Sequence, residues 1–252
     1  MKFGVSISPA KLLTQEIERI GKWGADFVEI YTEPPLDTPE MISKKAPLIK
    51  KLLKAHDLSV IGHGNFACVL GSPDLTERAS WLLELKREIA AVAKIGAHRM
   101  DIHANLNDML GPAFKAVEMD NLIDSFAVLS ETAKEHNIAL NVENTRESVS
   151  DIEHLISKVK GLHATLDIGH AFMRGGMSEV KKFLDLKAVN HMHVHDVKGL
   201  MDHYPIGEGK INFKEFAEIL RKRKYDETVL IEVISSDENR RKSFEKFREL
   251  MK

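Results

Sequence analysis

Residues 139–168 read ALNVENTRESVSDIEHLISKVKGLHATLDI and contain one strand–helix–strand unit. The runs Ala139–Glu143 and His163–Ile168 are rich in apolar and β-branched residues, which is typical of buried strands. Between them, Ser150–Lys160 has helical spacing, and Gly161 follows where such a helix would end. A strand, a helix and a second strand in succession favour a parallel pair of strands joined by a crossover helix.

The same alternation extends along the whole chain. The predicted strands are Lys2–Ser8, Phe27–Tyr31, Ser59–His63, Arg99–His103, Ala139–Glu143, His163–Ile168, Val189–His195 and Thr228–Ile234. The predicted helices are Lys11–Lys22, Glu40–His56, Asp74–Lys94, Asn121–His136, Ser150–Lys160, Ser178–Leu184, Asn212–Lys222 and Asp237–Met251. Eight such units in 252 residues predict an α/β fold, a single (β/α)8 TIM barrel that forms one domain over residues 1–252. The alternative is an open doubly wound sheet, which would bind a ligand at one switch point only.

Composition narrows the class of protein. Lys and Arg sum to 36 and Asp and Glu to 38, so the near-neutral charge gives no support to nucleic-acid binding. Cys68 is the sole cysteine and cannot form an intrachain disulfide, which favours a reducing compartment. The N-terminus has no apolar stretch typical of a signal peptide, and no apolar run is long enough to cross a membrane. We therefore expect a cytoplasmic protein with no membrane partner.

Ionisable residues recur at the ends of the predicted strands. In a TIM barrel the C-terminal ends of all strands meet on one face. Strands three to eight each carry a His, Asp or Glu near that end: His63, His103, Glu143, Asp167, His193 and Glu232. Carboxylates in apolar strand interiors would repel one another and lose solvation, and a divalent cation would offset both costs. Carboxylates together with imidazoles suit Zn2+, Mn2+, Mg2+ or Co2+ better than soft metals.

Each residue taken alone has a simpler structural explanation. A lone histidine at a strand end is usually a hydrogen-bonded residue of the core or rim, and Glu232 in LIEV would serve equally well as a partner for Lys or Arg. Glu29 in FVEIY is similar and stays outside the metal set, with structural and substrate-facing roles both open. The glycines of PIGEGKINF (205–213) fit a tight turn or, alternatively, a phosphate-binding nest. The coincidence of position over six strands is what favours a metal site.

Several motifs occur in a characteristic order along the chain: HGNF with LGSPD, ALNVEN, TLDIGHAF, HMHVHD, DHYPIGEGKINF and LIEV. With these motifs the sequence resembles the xylose isomerase-like TIM-barrel superfamily, which includes sugar isomerases and epimerases and the endonuclease IV family. The resemblance implies a metal site formed by Glu143, Asp167, His193 and Glu232. In epimerase-like members, the glutamates matching Glu143 and Glu232 also act as the catalytic acid and base.

The endonuclease branch binds further metals through additional histidines. The matching positions here, which would hold a second metal or the substrate, are His63, His103, His170 and His203. That branch has an aspartate two residues before the last of these histidines, where this chain has Met201, and Asp202 is displaced by one residue. Such a shift turns a side chain away unless the loop adjusts. Phe66 stands where that branch has a tyrosine, and we expect Phe66 and Asp202 to contact the substrate.

We therefore predict a divalent-metal-dependent isomerase or epimerase that acts on a sugar or sugar phosphate. One glutamate would take the proton next to the substrate carbonyl and the other would return one, through a metal-stabilised enediolate. The alternative is an apurinic/apyrimidinic-site (AP) endonuclease with two or three metals, and nucleic acid is a partner only in that case. A third alternative is a non-catalytic barrel that binds a ligand or serves as a subunit scaffold. The sequence also allows a homo-oligomer.

Overall fold

In the computed structural model, which describes residues 1–107 and 111–252, eight parallel strands close into a barrel surrounded by eight helices. This confirms the predicted (β/α)8 fold, with the barrel order β1-β10-β7-β6-β5-β4-β3-β2. The strands are β1 Lys2–Ser6, β2 Phe27–Tyr31, β3 Ser59–His63, β4 Arg99–His103, β5 Ala139–Glu143, β6 His163–Asp167, β7 Val189–Val194, β8 Asp196–Lys198, β9 Met201–Tyr204 and β10 Thr228–Ile231. The helices are α1 Leu13–Lys22, α2 Pro39–Ala55, α3 Leu75–Ile95, α4 Pro112–Glu135, α5 Val149–Lys158, α6 Ile168–Phe183, α7 Phe213–Arg223 and α8 Asp237–Leu250.

Some element bounds differ from the predicted ones for local reasons. Strand β6 ends at Asp167 because its side chain caps helix α6 by accepting a hydrogen bond from the backbone N–H of His170. The helix predicted at 178–184 is the second half of α6, which has non-helical backbone angles at Gly175 and Gly176. Strands β8 and β9 form an antiparallel hairpin after β7 that the sequence pattern did not predict.

The main apolar core lies between the barrel and its helices. In α3, Leu85, Ile89 and Val92 follow helical spacing and are fully buried, as are Val28 and Ile30 on β2. Each such side chain contributes about 1.5–3 kcal/mol when it leaves water. None of the helices in the described part of the chain combines the length and apolar character that crossing a bilayer requires.

The barrel interior changes from apolar to polar towards its C-terminal end. Phe27, Ile61 and Leu230 form a separate buried apolar cluster. Other interior positions are polar and buried, so the expectation of apolar strand interiors is wrong at this level: Glu29, Asp101, Asn141, Thr165 and His191. Because side chains alternate along a strand, the residues two positions later share the same interior direction. On those strands they are Tyr31, His103, Glu143, Asp167 and His193.

The carboxylate of Asp196 organises the loop that follows the hairpin. Its Oδ2 accepts hydrogen bonds from the N–H groups of Gly207 and Gly209 at 2.9 and 2.8 Å, and its Oδ1 from Val197 and Ile211 at 2.8 and 3.0 Å. A Cβ at position 209 would lie 2.2 Å from the Val197 carbonyl oxygen, so this position requires glycine. The loop is a turn built around an internal carboxylate, and its amides already have an anionic acceptor, which disfavours a phosphate-binding nest.

Replacing Asp196 with asparagine is expected to lower the free energy of unfolding by about 2–4 kcal/mol. Each carboxylate oxygen accepts from two N–H groups and the amide NH2 cannot accept, so two N–H groups lose their acceptor, at about 1–3 kcal/mol for each such group when it is buried. Urea denaturation measures the change. The exposed Asp185, whose side chain is 68% accessible, gives the matched Asp185→Asn control, with an expected change within about 0.5 kcal/mol. Equal losses in both variants would contradict this account of the loop.

Candidate metal centre

The four residues predicted to bind a metal meet at the centre of the barrel mouth. One ligand atom each of Glu143, Asp167, His193 and Glu232 lies within 4.8 Å of all the others. All four side chains are buried. They come from β5, β6, β7 and the position after β10, where the backbone N–H of Glu232 still donates to Val194 and prolongs the strand pairing by one residue. Barrel closure therefore brings together residues far apart in the sequence.

The arrangement of donor atoms fits a divalent cation. The Nδ1 atom of His193 lies 3.0 Å from Glu232 Oε2 and 3.3 Å from Glu143 Oε1. Nevertheless, His193 Nδ1 and Glu232 Oε2 have no hydrogen-bond partner among the described residues. Since buried polar atoms seldom lack partners, this is an observation that an ion explains. Carboxylate oxygens with one imidazole nitrogen are ligands suited to Zn2+, Mn2+ or Co2+.

Asp167 is held in place from several directions. The backbone N–H of His203 donates to His195 Nδ1 at 2.9 Å, so the ring proton of His195 is on Nε2, which lies 2.8 Å from Asp167 Oδ2. Asn144 pairs with both backbone groups of Asp167, at 2.9 and 3.1 Å. A Cβ at Gly169 would lie 2.0 Å from His195 Cε1, so only glycine leaves room for that ring. These contacts orient the Asp167 carboxylate towards the centre.

His63 and His103 flank Glu143 on one side. His63 Nδ1 lies 2.7 Å from the Gly64 carbonyl, which can only accept, so this nitrogen carries a proton. His63 Nε2 and His103 Nε2 lie 3.1 and 3.5 Å from the same oxygen, Glu143 Oε2. Burial lowers the pKa of His63, but the hydrogen bond and charge of Glu143 raise it to about 10.

His170, Asp202 and His203 form a second group on the other side. Asp202 Oδ2 lies 3.3 Å from His170 Nε2, and Asp202 Oδ1 lies 2.9 Å from His203 Nδ1. His203 Nε2 in turn lies 3.4 Å from Glu232 Oε2. His203 has a φ of 54°, a left-handed conformation in the β8–β9 hairpin. The loop does adjust, and Asp202 faces the two histidines despite its one-residue displacement.

Carboxylates and imidazoles in the mouth stabilise one another's charges. Burial raises the pKa of Glu143, but the charges of His193 and His103 take it well below its ordinary value. Burial lowers the pKa of His193, but Glu143, Glu29 and Glu232 raise it well above its ordinary value. In the metal-free protein the His193 imidazole therefore holds a proton that a cation would have to displace.

Several residues around the centre were missed by sequence reasoning. Tyr31 donates its hydroxyl proton to Glu232 Oε1, and Asn144 holds Asp167. The alternation of side chains along a strand could have indicated some of these residues. Residues 191 and 193 alternate along β7, as do 29 and 31 along β2, so residues of each set share a face.

A cavity of about 1210 Å³ opens above the centre. Phe66 and Asp202, the predicted substrate contacts, both line it. Phe66 is 60% exposed, and Leu200 and Ile234, which also line the cavity, are 92% and 77% exposed. The mouth thus combines ionisable groups at its floor with apolar side chains at its rim, as small-molecule sites commonly do.

The chain is similar in sequence or in structure to several known barrel proteins. The chain is 30% identical to the uncharacterized protein MJ1311 of Methanocaldococcus jannaschii, over 92% of this chain and 83% of the relative. Among solved structures, a D-tagatose 3-epimerase-like protein has a TM-score of 0.87 at 24% identity, covering 100% of this chain and 97% of the other. D-psicose 3-epimerase in the presence of D-fructose has a TM-score of 0.78 at 17% identity, covering 100% and 99%. The TTHB071 protein of Thermus thermophilus, soaked with ZnCl2, has a TM-score of 0.81 at 20% identity, covering 99% and 98%.

These solved structures share the fold at low identity, and they include a sugar epimerase and a zinc-soaked protein. The match that decides membership covers nearly the whole chain. Residues 17–251 match the model of the xylose isomerase-like TIM barrel, and the chain therefore belongs to that family.

Proposed function

We propose that this protein is a divalent-metal-dependent isomerase or epimerase that acts on a sugar or sugar phosphate. One observation carries the proposal: Glu143, Asp167, His193 and Glu232 converge within 4.8 Å of one another, and Glu143 and Glu232 line a cavity of about 1210 Å³. The fold shared with a solved D-psicose 3-epimerase and with a D-tagatose 3-epimerase-like protein supports the same reaction class.

Two glutamates in this centre would handle the proton. The four converging residues would hold the cation, which when bound polarises the substrate carbonyl and stabilises the negative charge of an enediolate. Glu143 or Glu232 takes the proton from the carbon next to the carbonyl, and the other glutamate returns one. His203 Nε2 lies 3.4 Å from Glu232 Oε2, where its positive charge stabilises the carboxylate. Positioned acid–base groups of this kind contribute about 10²–10⁴-fold in rate.

Residues around the floor would orient the substrate. His170 and Asp202 present polar atoms to substrate hydroxyls, and Phe66 offers an apolar surface to the C–H face of a sugar. Tyr31 holds the Glu232 carboxylate through its hydroxyl. The cavity volume exceeds the usual range of about 300–1,000 Å³ for small-molecule sites, which leaves room for a phosphate or other substituent.

Deuterium exchange tests the proposal even when the product has not been identified. The protein loaded with Mn2+, Co2+, Zn2+ or Mg2+ is incubated in D2O with a panel of aldoses, ketoses and their phosphates, and NMR detects loss of the proton next to the carbonyl. We expect exchange with at least one sugar class and its loss after chelation. Absence of exchange over the whole panel would contradict the proposal.

Endonuclease activity is the second candidate because two groups flank the centre as further metal sites would. These are His63 and His103 beside Glu143, and the group of His170, Asp202 and His203. However, the described residues that line the cavity include five acidic side chains and three arginines, a poor match to a polyanion. A DNA-backbone binder gains most of its affinity by neutralising phosphates.

Metal analysis and a nicking assay separate the two candidates. One ion per chain supports the isomerase, whereas two or three ions with cleavage of duplex DNA at an abasic site support the endonuclease.

A further inference from the structure

A second group of ionisable residues lies inside the barrel, below the mouth. It consists of Glu29 on β2, Asp101 on β4, and His191 and His193 on β7, all fully buried. Glu29 Oε2 lies 3.4 Å from His193 Nε2 and 3.3 Å from His191 Nε2. Asp101 Oδ2 lies farther from the same two nitrogens, at 3.8 and 3.6 Å. His193 therefore has one ring nitrogen in each group.

The two carboxylates of this interior group have few partners. Within the described residues, their ion pairs are with histidines and not with Lys or Arg. Asp101 Oδ1 accepts from Thr165 and Glu29 Oε2 pairs with His191 Nε2, but Asp101 Oδ2, Glu29 Oε1 and His193 Nε2 have no hydrogen-bond partner among those residues. A buried carboxylate without a partner lowers the stability of the fold. Two such carboxylates beside one histidine nitrogen are therefore expected to have a function that offsets this loss.

We propose that Glu29, with Asp101 beside it, is a positioning residue: when a cation is bound, the carboxylate 3.4 Å from His193 Nε2 keeps the ring proton on that nitrogen, which leaves Nδ1 free to face Glu143 and Glu232. The inference rests on the proposed metal centre. A neutral imidazole has one ring proton, and the hydrogen bond at one nitrogen decides whether the other can act as a ligand. A carboxylate at the far nitrogen fixes the tautomer, orients the ring and raises the basicity of the ligating nitrogen.

A second cation in the interior group is the competing occupant, because its four donor atoms also lie within 4.8 Å of one another. His193 would then have to bridge two ions and give up both ring protons. The centre in the mouth reaches the cavity through Glu143 and Glu232, whereas none of Glu29, Asp101 and His191 lines it, so an ion would have no open approach to the interior group. A hydrogen bond from His193 needs neither the second deprotonation nor an entry path.

Metal titration of the apo protein tests the proposal without using substrate. Co2+ binding is measured by calorimetry for wild type, Glu29→Gln and Glu179→Gln. Glu179 is a buried glutamate that contacts Lys182 and does not line the cavity, so it is the matched control. We expect Glu29→Gln to bind Co2+ about 10–100-fold more weakly, with the same number of ions per chain, and Glu179→Gln to bind as wild type does.

Two outcomes overturn the proposal: unchanged Co2+ affinity in Glu29→Gln, or the loss of one ion per chain, which would assign the interior group as a cation site. Circular dichroism of the metal-free variants establishes that they are folded. If Glu29→Gln does not fold, Asp101→Asn carries the same test with a smaller expected loss. As a second measurement, ¹H–¹⁵N NMR of the Zn2+-loaded wild type should show the His193 proton on Nε2, and a proton on Nδ1 would refute the assignment. Failure to detect sugar isomerisation would leave these readings unaffected.

Discussion

A Glu143→Gln variant is expected to lose about 10³–10⁴-fold in turnover while the barrel stays folded. The amide keeps the shape of the side chain but removes a proton acceptor, a negative ligand and the charge that faces His63, His103 and His193. Loss of a positioned base alone accounts for about 10²–10⁴-fold. The rate of deuterium exchange next to the substrate carbonyl measures the effect, and near-normal exchange would refute the assignment of Glu143.

A variant series separates loss of chemistry from loss of structure. Glu179→Gln makes the same chemical change at a buried site outside the cavity, so its turnover should match wild type. Glu232→Gln should be as damaging as Glu143→Gln. Because the two glutamates act as a unit, the double variant should be little worse than either single variant. Independent, multiplicative losses would contradict a shared proton-transfer role.

The fold and the floor of the site follow from local sequence patterns. Strand–helix alternation occurs eight times along the chain. An error in the bounds of one element therefore does not change the predicted number of strand–helix units. The C-terminal strand ends of a TIM barrel share one face whatever the details of packing, so an ionisable residue near each end was enough to place Glu143, Asp167, His193 and Glu232 together. Binding of a metal by these residues stays a prediction.

The residues that hold the four central side chains in place make contacts between distant parts of the sequence, and no local pattern encodes such contacts. Glu29 and His191 contact each other across 162 positions of sequence, and only barrel closure reveals it. The orientation of Asp202 depends on the left-handed backbone at His203, which a non-glycine residue adopts only when its surroundings require it. The polar interior level was missed because its members alternate with apolar residues that face the helices, so each strand still looks like a buried one.

Stability of the metal-free protein should fall as pH rises through the neutral and mildly alkaline range. The pKa of His63 is raised to about 10 and that of His203 to about 11, both against burial, by Glu143 and Glu232 respectively. In the unfolded chain a histidine titrates near 6.5. Above that pH the folded state holds protons that the unfolded state has released, so this stabilisation is complete below about pH 6.5 and is lost as pH approaches 10. Thermal denaturation with EDTA between pH 6 and 8.5 measures the decline.

Metal loading should reverse that dependence, because a cation replaces the same protons. Its binding tightens as pH rises, and a free Co2+ concentration 1,000 times Kd stabilises the folded state by about 4 kcal/mol. The difference in melting temperature between loaded and EDTA-treated protein should therefore widen from pH 6 to 8. A network of ion pairs without a metal would show the same decline in both samples, since nothing would compete with the imidazole protons. If the melting temperatures of the two samples change with pH in parallel, His63, His193 and His203 act only as ion-pair partners of the carboxylates. If the two melting temperatures diverge as pH rises, a cation binds among these residues.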